Sequence, residues 1–399
     1  MLGIIDLDKT YQYLLISLAF LMPLTVTGAN IIIVIICFLW LFSGGYKAKY
    51  NQIMSSKLMI ASIVFFCLHV IGMLWTEDLQ WGLHILHKMW YFLLLLPILF
   101  NIVQRKYINY YLNSFLLAIA LTEIVSYLVW FEIIPPFNKA SVGDPTPFMD
   151  HISYNPILTL AIYLVYYNMF IKTNLNAIKF FFYSFFALTM TINMFITGGR
   201  AGQVMYFAML IILFFQFFNN EKIKPIFAVL VIIPLIFFAA YQSSHIFHQR
   251  VNDAIINTID YDPYEKNSVG ERITFSINSW EVIKENPIIG IGTGDFPSEY
   301  KKINQINTPL MSSTTNPHNM YILITMQLGL IGLASMLSIY YYQIQQSFYS
   351  SNRFIKDLGI ALPLMFLVIM WSDSYLLGHY TTLMFVFFSS FLYKDFEKS

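Results

Sequence analysis

The chain reads as an all-α polytopic membrane protein with about 12 transmembrane helices and one large loop on the far side from its termini. Three observations predict this fold class. Of the 399 residues, 57% are hydrophobic and only 11% are charged, less than half the roughly 25% charged residues of an average soluble domain. The apolar residues gather in runs long enough for a helix to cross a bilayer. The polar connections between these runs are mostly short, and their lysines and arginines collect on one side. This composition excludes a soluble enzyme. It also excludes intrinsic disorder, which needs low hydrophobicity and high charge. A formal net charge of +1 leaves no basic surplus to neutralise a phosphate backbone, so membrane lipids are expected partners and nucleic acid is not.

Taken in order, the first six runs fall at 11–27, 29–43, 58–75, 89–103, 111–131 and 154–171. Asp6, Asp8 and Lys9 precede the first run. They differ from the basic stretch of a cleaved signal peptide, so this helix is expected to stay in the mature protein. Cys37 and Cys67 lie inside the second and third runs, and no disulfide framework is implied. The fifth run contains Glu123, an acid whose cost at that depth calls for an interior position or a partner. The other six runs fall at 178–197, 201–218, 224–241, 319–342, 357–372 and 376–393. Arg200 opens the eighth. A charge so close to hydrocarbon marks a functional site by default, and the free amides at a helix start favour anions. Gly198, Gly199 and Gly202 would let a bulky anion approach the backbone there. The plainer alternative is an arginine snorkelling to headgroup phosphates.

An even number of spans puts both termini on one side. If that side is the cytoplasm, Lys47, Lys49, Lys57, Arg105, Lys106, Lys172, Lys179, Lys222, Lys224, Arg353 and Lys356 fall in cytoplasmic connections. Only Lys88, Lys139 and Arg200 fall in short outer ones. The positive-inside rule favours this orientation. One outer connection, residues 242–317, is far longer than the rest, and a loop of that size in a compact protein is usually functional. The chain therefore divides into helices one to nine over 1–241, the large loop over 242–317, and helices ten to twelve over 318–399. Together these form a single integrated membrane domain.

Within the loop, Ser268-Val269-Gly270-Glu271 fits a capping box at a helix start, and Pro287 ends the helix at Asn286. Ile273, Ile277 and Trp280 recur on one face of that helix, and an indole on an apolar stripe suits a membrane interface. Arg272, Ser276 and Ser279 are available for another face. The glycines in Gly290-Ile291-Gly292-Thr293-Gly294-Asp295 could let backbone approach a phosphate, although a plain turn is the simpler reading. Asp260-Tyr261-Asp262 has the D-x-D spacing that can hold a metal, but two aspartates before a proline more often make a turn. His318 and Asn319 open the tenth run. Gly329 and Gly332 follow as a small-x-x-small face on which another helix could pack closely.

With these residues in view, the sequence resembles the bacterial O-antigen ligase/polymerase superfamily, whose members share a dozen or so spans and one large periplasmic loop between two late helices. The resemblance rests on Gly199-Arg200-Ala201-Gly202, on Arg272 upstream of Trp280, on the stretch from Asn286 to Phe296, and on His318-Asn319 with Gly329 and Gly332. It is clearest over 195–335, whereas the first 150 residues match in hydropathy alone. The His-Asn-x9-Gly-x-x-Gly spacing is most similar to that of lipopolysaccharide O-antigen ligases. Wzy-type polymerases and protein O-oligosaccharyltransferases are the alternatives within the superfamily.

The resemblance implies a GT-C-like enzyme of the bacterial inner membrane with its active site facing the periplasm. It implies transfer of a glycan from undecaprenyl pyrophosphate to a hydroxyl of lipid A–core, without metal or other cofactor. It further implies that Arg200 and Arg272 hold the pyrophosphate and that His318 is the catalytic base. These residue types suit that chemistry. Guanidinium meets phosphate oxygens bidentately and stays charged, and histidine, with an ordinary pKa of about 6.5, suits a base near neutral pH. Direct displacement by the acceptor hydroxyl would invert the anomeric centre. Asn319, His151 and Trp280 are further candidate substrate contacts. His151 stands at the start of the sixth span, where it could line the acceptor path, and Trp280 could stack on a sugar. A transporter or flippase is the reading from another class, but it would carry internal repeats and polar sites at mid-membrane, and no repeat at a fixed period is evident.

Overall fold

The structure, a computed structural model, describes residues 6–172, 175–265 and 267–396. Apart from one isolated bridge between Ser141 and Asp144, regular structure among the described residues is helical. In chain order the first helices are α1 (Leu7–Leu21), α2 (Val26–Phe42), α3 (Tyr46–Met54), α4 (Lys57–Gly72), α5 (Leu79–Trp90) and α6 (Leu96–Ile102). A π turn, Tyr91–Leu95, joins α5 to α6. Then come α7 (Ile108–Trp130), α8 (His151–Phe170), α9 (Ala177–Ile196), α10 (Arg200–Phe217), α11 (Lys224–Ser243) and α12 (His245–Ile259). The last are α13 (Ser268–Glu285), α14 (Phe296–Asn307), α15 (Met320–Phe348), α16 (Arg353–Ile369) and α17 (His379–Leu392).

Each of the twelve predicted runs holds a helix. Seven of the described helices are long and apolar enough to cross a membrane, or eight if α2 and α3, bent by 115°, count as one broken span. The predicted spans at α1, α8, α16 and α17 are shorter or more polar than this. For α8 burial supplies the reason: it is enclosed along most of its length, and a helix surrounded by protein needs no apolar coat. α17 is apolar and falls short in length alone. At the other extreme, only 11% of the most apolar stretch of α11 is buried, as suits a helix facing lipid.

The helices gather into two compact units. The first is built chiefly from Gln12–Ile32 and Lys106–Asp253, the second from Ile33–Arg105 and Ala254–Ser399. In the first unit α10 closes on α8 at Asn155. A Cβ at Gly202 would come within 2.1 Å of the Asn155 Cβ, and one at Gly199 within 2.4 Å of its Nδ2. Asn155 uses this proximity: its Oδ1 accepts from Thr197 Oγ1 at 2.9 Å, and its Nδ2 donates to the Gly199 carbonyl at 3.1 Å. Gly199 and Gly202 therefore serve helix packing, in place of the anion approach expected of them. Glu123, on α7 of the same unit, takes the interior position its depth calls for. Its carboxyl oxygens are buried without a hydrogen-bond partner among the described residues.

The second unit is organised around a break in α15. At Gly329 the backbone turns to φ 62°, ψ −161°, which frees carbonyls on one side of the break and amides on the other. The Pro287–Gly292 stretch takes up both. Ile291 and Gly292 donate to the Met326 and Gln327 carbonyls, each at 3.0 Å, while Leu330 and Ile331 donate to Pro287 and Ile288 at 2.8 and 3.3 Å. The expected helix-on-helix contact at Gly329 is thus corrected: a loop segment that begins as a turn fills the break. Gly332 meets mainly Leu328 and Ile324 of its own helix.

Further along, the Thr293 hydroxyl donates to the His69 carbonyl, and the Asp295 carboxylate accepts from the Glu77 and Asp78 amides. The glycine-rich stretch is therefore a clasp between α15 and the α4–α5 corner, and its amides are spent on protein.

The break also fixes the height of His318. The second arm of α15, residues 330–348, and α16 rise from one connecting turn and span about 28 and 26 Å respectively. The amide of Met320 donates to the Met370 carbonyl, just past α16, at 2.9 Å. The first arm, residues 320–328, has no height left to climb. It crosses from the top of one helix to the top of the other, which holds His318 at that end of the unit.

Candidate functional site

In the second unit the site begins with α13. The helix starts where the capping box placed it, but its cap is Asn267, whose Oδ1 accepts from Gly270 N at 2.7 Å. Thr274, Phe275, Asn278, Ser279, Val282 and Ile283 turn inward. Ile277 and Trp280 face outward and are exposed, so the indole stands on the outer stripe. Arg272 donates from Nη1 to the Ser268 carbonyl at 3.2 Å, and its Nε is buried without a hydrogen-bond partner among the described residues.

The segment Thr314-Thr315-Asn316-Pro317-His318-Asn319 builds the rest. Asn316 Oδ1 accepts from the His318 amide at 3.0 Å and from Ser374 Oγ at 2.8 Å, while its Nδ2 donates to Asp373 Oδ1 at 3.2 Å. His318 adopts φ 51°, an αL conformation that a non-glycine residue holds at a cost of about 1 kcal/mol or more. Asn319 is the cap of α15, with its Oδ1 accepting from Ile322 N at 3.1 Å. Thus fixed, the imidazole lies near-parallel to the Phe275 ring at 6.2 Å, with Nδ1 3.1 Å from Asp373 Oδ2.

Burial alone would push the Asp373 carboxyl up. Its bond from His318, with help from the Ser374 amide and the Arg272 charge, outweighs burial and holds it below the usual carboxylate range. With Nδ1–H donating to the carboxylate, the imidazole lone pair is on Nε2.

A prediction follows from the sign of this shift. A carboxyl depressed in the folded state stabilises the protein above its unfolded value of about 4, and the contribution is lost as pH falls through the folded value. Asp373→Asn is therefore expected to cost on the order of 1–3 kcal/mol at neutral pH, as for loss of a charged hydrogen bond. Thermal unfolding in detergent across pH should show the two proteins converging under acid conditions. A constant gap down to strongly acidic pH would refute the pairing.

In the first unit, Asp150 caps α8 by accepting from Ser153 N at 2.9 Å, and His151 is the first residue of that helix. His151 Nδ1 lies 2.6 Å from Asp144 Oδ2, while Asp144 Oδ1 accepts from Gly198 N at 2.9 Å. Burial pushes Asp144 up. The bond from His151, the Gly198 amide and the charge of Arg250 outweigh burial and hold it low. The Gly198 amide, just ahead of the α10 cap, is thus occupied by the chain's own carboxylate. Arg200, partly exposed, is the first residue of α10.

The predicted residues accordingly fall into two groups. Arg272, His318 and Asn319 are brought together in the second unit, with Trp280 on the outer stripe of its α13. Arg200 and His151 stand at helix starts in the first unit. The sequence reading missed Asp373 and Asp144. Asp373 is a lone acid in a short connection between apolar runs, while Asp144 shares a longer one with Glu132 and Asp150, and position was the only signal of either. Asp262 Oδ1 accepts from Tyr264 N at 2.9 Å, the Asx turn expected of the D-x-D.

Residues 185–337 match the family described as Wzy_C, O-antigen ligase. The match takes in Arg200, Arg272, Trp280, the glycine-rich stretch of the clasp, His318-Asn319, the first arm of α15 and the start of the second. It leaves out His151, Asp144 and Asp373. No curated protein matches the chain.

Proposed function

From the match of residues 185–337 to the O-antigen ligase family, we propose that the chain is a member of the O-antigen ligase/polymerase superfamily and is an O-antigen ligase of the bacterial inner membrane. In this reading both termini are cytoplasmic and the site faces the periplasm. The donor is a glycan on undecaprenyl pyrophosphate, and the acceptor is a hydroxyl of lipid A–core. His318 Nε2 takes the proton from that hydroxyl as its oxygen attacks the anomeric carbon. The bond from that carbon to the pyrophosphate oxygen breaks, the configuration inverts, and undecaprenyl pyrophosphate departs. No metal or other cofactor is invoked, because the leaving group is already built into the donor. Arg272 meets the charge that develops on the pyrophosphate, where a preorganised cation contributes most.

The observation that supports this reading best is the 3.1 Å contact between His318 Nδ1 and Asp373 Oδ2. It fixes the ring and stabilises the imidazolium that proton transfer creates. Asn319 enters as the residue that sets His318 through the helix cap. His151 is assigned to an acceptor contact, whereas Trp280, expected to stack on a sugar, stands on the exposed outer stripe of α13 and is given no glycan contact.

Arg200 is assigned to the same ligand class from the family motif it occupies. Arg200→Lys and Arg272→Lys are each expected to lower transfer roughly 10-fold or more, because an ammonium cannot reproduce the two-pronged contact with phosphate. Undiminished rates would support the snorkelling alternative.

A polymerase that extends the lipid-linked glycan would use the same chemistry, so the deciding experiment is the lipopolysaccharide gel of a deletion strain. Loss of all capped core, with lipid-linked polymer accumulating, is the expected result. Core that still carries a single repeat would identify a polymerase instead.

A further inference from the structure

We propose that the outward stripe of α13 and the Pro287–Ile289 stretch after it are seated in the headgroup layer of the bilayer, so that the large loop is anchored to the membrane surface. The helix has two apolar faces. The inner one, with Phe275, Val282 and Ile283, is used by the fold. The outer one carries Ile273, Ile277 and Trp280 at the i, i+4, i+7 spacing of one helical stripe. Trp280 is 56% exposed, and Ile277 is exposed beside it. Ile288 and Ile289 continue the apolar surface beyond the end of the helix, with Ile288 62% exposed.

Their depth is set by the backbone. Pro287 and Ile288 accept hydrogen bonds from Leu330 and Ile331, the first residues of the second arm of α15. Leu330 and Ile331 are themselves exposed, in a helix, Met320–Phe348, that is long and apolar enough to cross a membrane when its two arms are taken together. The isoleucines at 288 and 289 therefore lie level with the exposed start of the second arm, and α13 ends only two residues before Pro287.

The occupant follows from continuity and chemistry. Ile288 and Ile289 adjoin the exposed Leu330 and Ile331, which extend the apolar surface onto α15. An indole prefers the water–hydrocarbon boundary. The flanking Glu281 and Lys284 are paired with each other at 2.8 Å, and long charged side chains beside an apolar stripe can reach the headgroups. An amphipathic helix with bulky apolar residues on one face lies in the plane of such an interface.

The test uses the full chain with Cys37→Ser and Cys67→Ser, reconstituted in phosphatidylcholine vesicles. A bimane label is placed at Ile277→Cys or Ile289→Cys, with Lys301→Cys on exposed α14 as the aqueous reference. Lipids that carry a nitroxide near the headgroup should quench the labels at 277 and 289 several-fold more than at 301. Aqueous iodide should do the reverse. Iodide quenching at 277 and 289 equal to that at 301 would overturn the proposal. Shielding from both quenchers, lost on dilution with lipid, would also overturn it by identifying a second copy of the chain as the cover.

Discussion

His318→Ala is expected to abolish glycan transfer, lowering the rate by at least roughly 10²–10⁴, the range attributed to a positioned general base. Folding and donor binding should persist. The imidazole is 34% exposed, so its removal opens no internal cavity. The bond from the residue 318 amide to Asn316 belongs to the backbone and survives the substitution. Asp373 keeps Asn316 Nδ2 and the Ser374 amide as partners.

One complication is the φ of 51° at this position, which alanine tolerates less well than asparagine does. His318→Asn therefore serves as the second variant. It accepts the αL backbone but cannot act as a base, so it should be equally inactive while remaining folded, its unfolding temperature lowered by no more than that of Asp373→Asn. The measurement is transfer from a lipid-linked donor in detergent, paired with donor retention on the immobilised enzyme. Normal turnover by either variant would remove the base assignment. Loss of donor binding in both would point to a structural role.

The helices were legible because run length is a local property: a bilayer-length apolar stretch announces itself wherever it occurs. Local chemistry was legible to within a residue. Asn267 and Ser268 are both capping residues placed in succession, and only geometry shows that Asn267 accepts the hydrogen bond.

Pairing across long stretches of sequence was not legible. Gly329 inside an apolar run looks like any small residue at a helix contact, and Gly290 looks like any turn glycine. That each is shaped by the other follows from hydrogen bonds linking residues some forty positions apart. Asp373 was invisible for the same reason, 55 residues from His318, whereas Asp144, only 7 residues before His151, carried no local signal. Neither sits in a motif, and each gains its meaning from an imidazole on another element. Gly199 and Gly202 illustrate the converse error. Their lack of a side chain was read as room for an anion, but the room is filled by Asn155.

Alanine at Gly290 or at Gly329 is expected to destabilise the protein by more than about 3 kcal/mol, among the larger effects that a single substitution produces. Two costs combine at each site. At Gly329 the φ of 62° with ψ −161° belongs to a region that essentially glycine alone occupies, and a Cβ would stand 2.2 Å from the Ile288 carbonyl carbon and oxygen. At Gly290, φ is 71° and a Cβ would stand 2.5 Å from the Gln327 carbonyl. In both cases the obstacle is backbone, which has no rotamer to move aside. Relief requires parting the clasp from the helix break and leaving its carbonyls and amides unpaired at the depth where the span begins.

Because the two glycines guard one contact, the double variant should lose less than the sum of the singles. Gly143→Ala is the control. It has no atom within 4 Å of the added methyl and no left-handed φ, and it should fall within about 0.5 kcal/mol of the native protein. Thermal unfolding in detergent ranks the variants. If alanine at 290 and 329 melts with the Gly143 variant, the interlocked break does not exist, and the crossing arm that carries His318 loses its support.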